Sequence, residues 1–299
     1  MRDIDAAMWR ALSEAYAFLG NSLLSPMTLT EPAGIDPAFW EAFPRFSDEG
    51  IAAAADACAA FARDAYAAEA ARIGDAPDGG AARAERASDE DGVDEDGVRA
   101  ALIERVSVEY TKLFVGPPVP AAAPWETMYR GSNADASPSA PGAKEGAAYG
   151  FGEPTFQMRS LLRGIGLELS NENRQYEDHM GIELLYLSQL CRLRAQGTGE
   201  GGPSNDDACA VTNAPDVECG DGAASGAKQS PGDACADGRA TADGASSDTS
   251  IAVFIDAHPL GWIGSLRSRV DEAFPGGYVS HILALAEALL AWQKAALDR

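Results

Sequence analysis

The sequence predicts an all-α fold, on three observations. Apolar side chains recur at three- and four-residue spacing in several long stretches. Alanine, the strongest helix former, is concentrated inside those stretches. No alternating apolar–polar run of useful strand length occurs. With 299 residues, 46% of them hydrophobic, the chain can build a sizeable core as one large domain or two small ones.

The first helix is read from Ile4, Met8, Leu12, Ala15 and Leu19, and Ser25-Pro26 ends it. Pro37-Ala38-Phe39-Trp40 starts a short helix whose aromatics are expected to be exposed. Ile51, Ala55, Cys58, Ala62 and Ala65 stripe a second long helix, widened by Phe61 and Tyr66. Residues 74–97, acidic and rich in Ala and Gly, read as a flexible insertion.

Order is expected to return at Val98. Leu102, Val106, Tyr110 and Leu113 or Phe114 define a helix that stops at Gly116-Pro117-Pro118. An irregular loop rich in Pro, Ala, Ser and Gly follows to about Gly152, floppiest near Ser132–Gly146. Inside it, Pro124-Trp125-Glu126-Thr127-Met128-Tyr129 carries large aromatics where a plain linker carries none, which suits a functional loop. Glu153-Pro154-Thr155 opens a helix with Met158, Leu161, Leu162 and Ile165 on its apolar face, ended by Gly166.

Tyr176-Glu177-Asp178-His179 then leads into a helix from about Asp178 to Ala195, striped by Leu184, Leu187 and Cys191. Residues 197–250 have almost no large apolar side chains and read as a second flexible insertion. The chain reorders at Ile251, passes through His258-Pro259-Leu260-Gly261-Trp262 and turns at Pro275-Gly276-Gly277. It closes with a helix striped by Tyr278, Ile282, Leu285, Leu289 and Trp292.

The net charge of −23 disfavours a sequence-independent grip on nucleic acid and binding to an anionic membrane, and favours a cationic partner. Much of it is not in the core. Residues 74–98 carry −7 and residues 197–250 carry −8, leaving −8 for the remaining body. The start lacks a secretory signal and no apolar run is long enough to span a bilayer, so a soluble, cytoplasmic protein is expected. Of five cysteines, Cys58 and Cys191 lie in helical patterns. Cys209, Cys219 and Cys235 fall in the polar tract with no C-x-x-C pair, which argues against a zinc site.

Chemistry has few footholds. There is no G-x-S-x-G elbow, no cysteine in an electropositive turn, and no phosphate-binding glycine loop. No catalytic residue, cofactor or metal is therefore expected. Two readings of the Glu177-Asp178-His179 turn stay open beside this. His179, one of three histidines, can change charge near neutral pH, and with Glu183 at i+4 it could face one ion from a single helix. Asp178 can also be no more than the cap of its helix. Peptide docking uses more of the pieces. Glu126, Glu177 and Asp178 can pair with a partner's arginines, while Trp125, Tyr129 and Tyr176 cover its apolar side. Against that, Trp125 and Tyr129 can simply anchor the loop to the core.

These motifs resemble a known family. Glu109-Tyr110-x-x-Leu113-Phe114-x-Gly116-Pro117 is similar to the helix-ending signature of the TorD/DmsD-like chaperones of molybdenum oxidoreductases. Their pattern continues with a Pro-rich stretch and an aromatic–acid pair, matched by Pro124 to Tyr129. It also has an acidic-histidine turn and a Glu-Leu step, matched by Tyr176 to His179 and by Glu183-Leu184. Phe254, His258, Leu260 and Trp262 fit its next segment, and Tyr278 opens the last helix. The family's proline at the turn is Tyr176 here, which removes a fixed φ angle.

The resemblance implies one all-helical domain of two parts, 1–116 and 153–299, joined by a hinge loop at 117–152. It implies a cytoplasmic chaperone that binds the twin-arginine signal peptide of a molybdoenzyme catalytic subunit and holds it until the molybdenum cofactor is inserted. By position, the function-linked residues are Trp125, Glu126, Glu177, Asp178 and His179. A chaperone contacting the mature reductase, as in the nitrate reductase type, is the alternative. A metal- or nucleotide-dependent enzyme using Asp178, His179 and Glu183 is the reading from another class. A long hinge also permits a domain-swapped homodimer.

Overall fold

The computed structural model describes residues 4–74, 95–116, 119–130, 152–169, 175–197 and 244–298. Their regular structure is helical, apart from one isolated β-bridge. In chain order the α-helices are α1 (Ala6–Leu24), α2 (Pro37–Ala42), α3 (Glu49–Gly74), α4 (Glu95–Tyr110) and α5 (Glu153–Gly164). They continue with α6 (Met180–Gly197), α7 (Gly244–Ala257), α8 (Pro259–Ala273) and α9 (Tyr278–Leu297). No described helix is long and apolar enough to cross a membrane.

Helix α1 begins where the Asp5 carboxylate accepts the Met8 N–H at 2.8 Å, and it ends at Ser25-Pro26. Its buried face, Trp9, Leu12, Tyr16, Leu19 and Leu23, packs on α6 in the most extensive helix contact of the fold. The two backbones meet at glycines. A methyl group on Gly20 would lie 2.7 Å from the Gly181 carbonyl oxygen, and the reverse contact is equally tight. Helix α6 buries Ile182, Leu184, Tyr186, Leu187 and Cys191 around much of its circumference, as a central helix must.

Helix α9 is the second organiser, touching α1, α3, α4, α7 and α8. All five stripe residues expected from the sequence are buried. Its first turn is capped from outside: the Glu109 carboxylate on α4 accepts the N–H groups of Tyr278 and Val279 at 3.1 and 2.9 Å. Beyond α4 the helix widens into a π-turn over Thr111–Val115 and stops at Gly116, whose φ of +58° suits glycine. That stop sends the chain into the segment that carries Trp125.

Several expectations need correction. The aromatics of the short helix are not exposed: Trp40 is fully buried, donates its indole N–H to the Gly34 carbonyl at 2.8 Å, and packs edge-on to Phe18 and Phe39. Helix α4 starts at Glu95 and α7 at Gly244, so the ends of both expected insertions are helical. The acids at Glu95 and Asp96 sit in the first turn of α4, where the helix dipole favours them. Residues 75–94 and 198–243, with Cys209, Cys219 and Cys235, lie outside the described residues, as does the Ser132–Gly146 stretch. Cys58 and Cys191 are buried free thiols.

Candidate functional site

The two motifs singled out in the sequence meet. Trp125 and His179 form an antiparallel β-bridge: the Glu126 N–H donates to the Asp178 carbonyl and the Met180 N–H to the Pro124 carbonyl, both at 2.9 Å. The loop after α4 is thereby clipped to the mouth of α6. A single turn of 3₁₀-helix follows at Glu126–Met128.

Asp178 faces inward rather than toward solvent. One carboxylate oxygen accepts the Thr127 N–H at 2.9 Å and its hydroxyl at 2.6 Å, and the other accepts the Thr155 hydroxyl at 3.0 Å. It therefore caps the 3₁₀ turn and ties in α5, and is not the cap of its own helix. That role belongs to His179, whose Nδ1 accepts the Gly181 N–H at 2.9 Å. Accepting at Nδ1 places the imidazole proton on Nε2. Burial pushes the His179 pKa down from 6.5 to about 3. The ring is therefore neutral at physiological pH, and the expected titration near neutrality does not occur.

Glu177 is the outermost acid of the turn. It makes a two-pronged ion pair with Arg159 of α5, at 2.6 and 3.1 Å. Trp125 and Tyr176 lie edge to face, 5.9 Å between ring centroids, both half-buried beside it. Arg159 also lies 5.7 Å from the Phe156 ring, which is more than half exposed. An acid, a guanidinium and three aromatics thus border one surface.

Glu126 points the other way. It is buried, with one oxygen 2.9 Å from Arg130 Nη1 and the other 2.8 Å from His258 Nδ1, and Arg130 also donates to the Ala257 carbonyl at the end of α7. Gly261 makes room for this guanidinium, because a methyl group there would lie 2.7 Å from Arg130 Nη1. Beside Glu126 lies Glu183, fully buried, with Oε2 accepting the Trp262 indole N–H at 3.1 Å. Desolvation, and then the neighbouring Glu126 charge, hold the Glu183 carboxyl well above the usual carboxylate range. Tyr129 stacks on Trp262, with centroids 5.2 Å apart.

The His179–Glu183 pair, left open as a metal site by the sequence, is not the cluster that the structure assembles. His179 spends Nδ1 on the helix cap, and the close donor cluster is Glu126, Glu183 and His258, without His179 or Asp178. Sequence reading missed Thr127, Thr155, Arg130 and Arg159 as members of the site. Arg130 was within reach, directly after the aromatic run, but the two threonines and Arg159 carry no signal outside the folded contacts.

Residues 81–214, just under half of the chain, match the family model of the nitrate reductase delta subunit. The chain resembles the TorD/DmsD-like redox-enzyme maturation proteins. The matched span contains α4, the Trp125 loop, α5 and all of α6, the elements that build the bridge. The likeness is to a family of molybdoenzyme maturation chaperones, whose partner is a molybdoenzyme subunit. Neither a curated protein nor a solved structure gives a significant match.

Proposed function

We propose that the protein is a cytoplasmic maturation chaperone that binds the twin-arginine signal peptide of a molybdenum-cofactor oxidoreductase. It would hold a client of dimethyl sulfoxide or trimethylamine N-oxide reductase type until cofactor insertion. The observation that carries this reading is the Trp125–His179 bridge, which sets Trp125, Tyr176 and the Glu177–Arg159 pair on one surface. A client arginine would compete with Arg159 for Glu177, and the signal's apolar stretch would cover Trp125 and Tyr176. Asp178, His179, Glu126 and Tyr129 hold that surface from behind. We read the whole chain as one helical domain with its hinge at 117–152, working without a catalytic step of its own.

Calorimetry with a twin-arginine signal peptide tests this. The expected result is binding that weakens at least tenfold in Trp125→Ala, in Glu177→Gln and with a twin-lysine peptide. Wild-type binding indifferent to the lysine exchange sinks the charge logic.

A second reading has its own support. The matched family is that of the nitrate reductase delta subunit, and two of the three acids expected to meet arginines are buried and internally bonded. Both facts favour a contact with the mature reductase subunit. Retained binding of a client stripped of its signal peptide selects this reading.

A further inference from the structure

We propose that Glu126, Glu183 and His258 form a binding site for one divalent transition-metal ion. Each residue offers one donor atom, and the three atoms lie within 4.8 Å of one another. All three side chains are buried, and each comes from a different element: the 3₁₀ turn after Trp125, α6, and the joint between α7 and α8.

Glu183 supplies the observation that points to a ligand. Its side chain is 0% exposed, Trp262 satisfies Oε2, and Oε1 receives no donor among the described residues, with the Glu126 carboxyl, another acceptor, beside it. A buried carboxylate oxygen without a donor is costly. Arg130 pairs with only one of the two acids. It bonds Glu126 on Oε1, leaving Oε2 beside His258, and no described Lys or Arg is ion-paired with Glu183. A dication among these donors balances both carboxylates and satisfies the orphaned oxygen. It takes the place of two protons, the one on the Glu183 carboxyl and the one between Glu126 Oε2 and His258 Nδ1, and both leave to solvent as the metal enters.

The donor set selects the ion. Two carboxylate oxygens and one imidazole nitrogen suit zinc, manganese, iron(II) or cobalt(II). Calcium and magnesium prefer more oxygen ligands, and copper(I) prefers sulfur. Arg130, about two-fifths exposed, covers the outer side of Glu126 and lies on the path from solvent. A bound ion would staple together three segments that flank the Trp125 loop.

Tag-free full-length protein, stripped with a chelator, is titrated with zinc and with cobalt(II) by calorimetry, and the cobalt form is read by its visible spectrum. The expected result is one equivalent of metal, a thermal midpoint raised by several degrees, and a cobalt spectrum without a thiolate charge-transfer band. Affinity falls at least 100-fold in Glu183→Gln and in His258→Gln, and is unchanged in Glu177→Gln. Absence of binding by the stripped wild type overturns the proposal, and so does unchanged affinity in Glu183→Gln. A thiolate band overturns it equally, since it moves the ion to the chain's cysteines. The wild-type spectrum decides even where a variant fails to fold.

Discussion

The Asp178 carboxylate holds Thr127 at two points, its backbone N–H at 2.9 Å and its hydroxyl at 2.6 Å. Thr127 follows Trp125 and Glu126, so the loop owes its position to this anchor. Replacing Asp178 by alanine strands a buried N–H and leaves the Thr127 and Thr155 hydroxyls, 3.3 Å apart, with one acceptor fewer than they need. The expected cost is about 2–4 kcal/mol in chemical denaturation. Any loss of client affinity in Asp178→Ala is then accompanied by lost stability, whereas Glu177→Gln changes affinity alone. A stable Asp178→Ala protein that has lost binding contradicts this division.

His179 makes stability depend on acid. Its imidazole titrates near 6.5 when unfolded and at about 3 when folded, so the folded chain binds fewer protons between those values. This contribution is complete above about pH 6.5 and is lost as pH falls toward 3, by at most about 1.4 kcal/mol per pH unit. Asparagine at 179 can still accept the Gly181 N–H but cannot titrate. The difference in unfolding free energy between wild type and His179→Asn should therefore shift in favour of the variant below pH 6. A pH-independent difference rejects the buried neutral ring.

Gly20 and Gly181 set the closest approach of α1 to α6. Alanine at either position would press a methyl group against backbone, which cannot rotate away. Each substitution is expected to cost about 1–3 kcal/mol, despite alanine's better helix propensity. Gly164→Ala, where the added methyl meets open space, is the control and should be neutral or stabilising. Thermal unfolding of the three variants checks the ordering.

Burial pushes the Cys58 and Cys191 thiols up to about 12. Both should resist a thiol reagent at pH 8 in the native protein and react once it is unfolded. Mass spectrometry of partly labelled protein reads the two sites separately. Fast labelling of Cys191 would place it outside the core that α6 builds.

Helix periodicity made the long elements legible. The α9 stripe, the α4 stripe and the stop at Gly116 were all visible because one face is apolar and glycine or proline marks the end. What stayed hidden depends on partners. Trp40 looked exposed because nothing local shows that Phe18 and Gly34 close over it. The start of α7 looked like linker because its first residues are small and polar, whereas the apolar residues that mark the helix begin at Ile251. At the site, the aromatic loop and the acidic-histidine turn were both found, but the direction of each side chain was not. Asp178 turns inward toward Thr155, 23 residues away, and Glu126 toward His258, 132 residues away. Spacing along one helix paired His179 with Glu183, whereas the fold pairs Glu183 with residues from two other segments.

The contact between α1 and α6 also dictates an order of events during synthesis. Trp9, Leu12, Tyr16 and Leu19 are made more than 150 residues ahead of their covering helix. At about 5–20 residues per second, that greasy face stays bare for many seconds. The protein thus begins as a nascent chain in need of shelter, and α1 is the segment a holding factor would seize first.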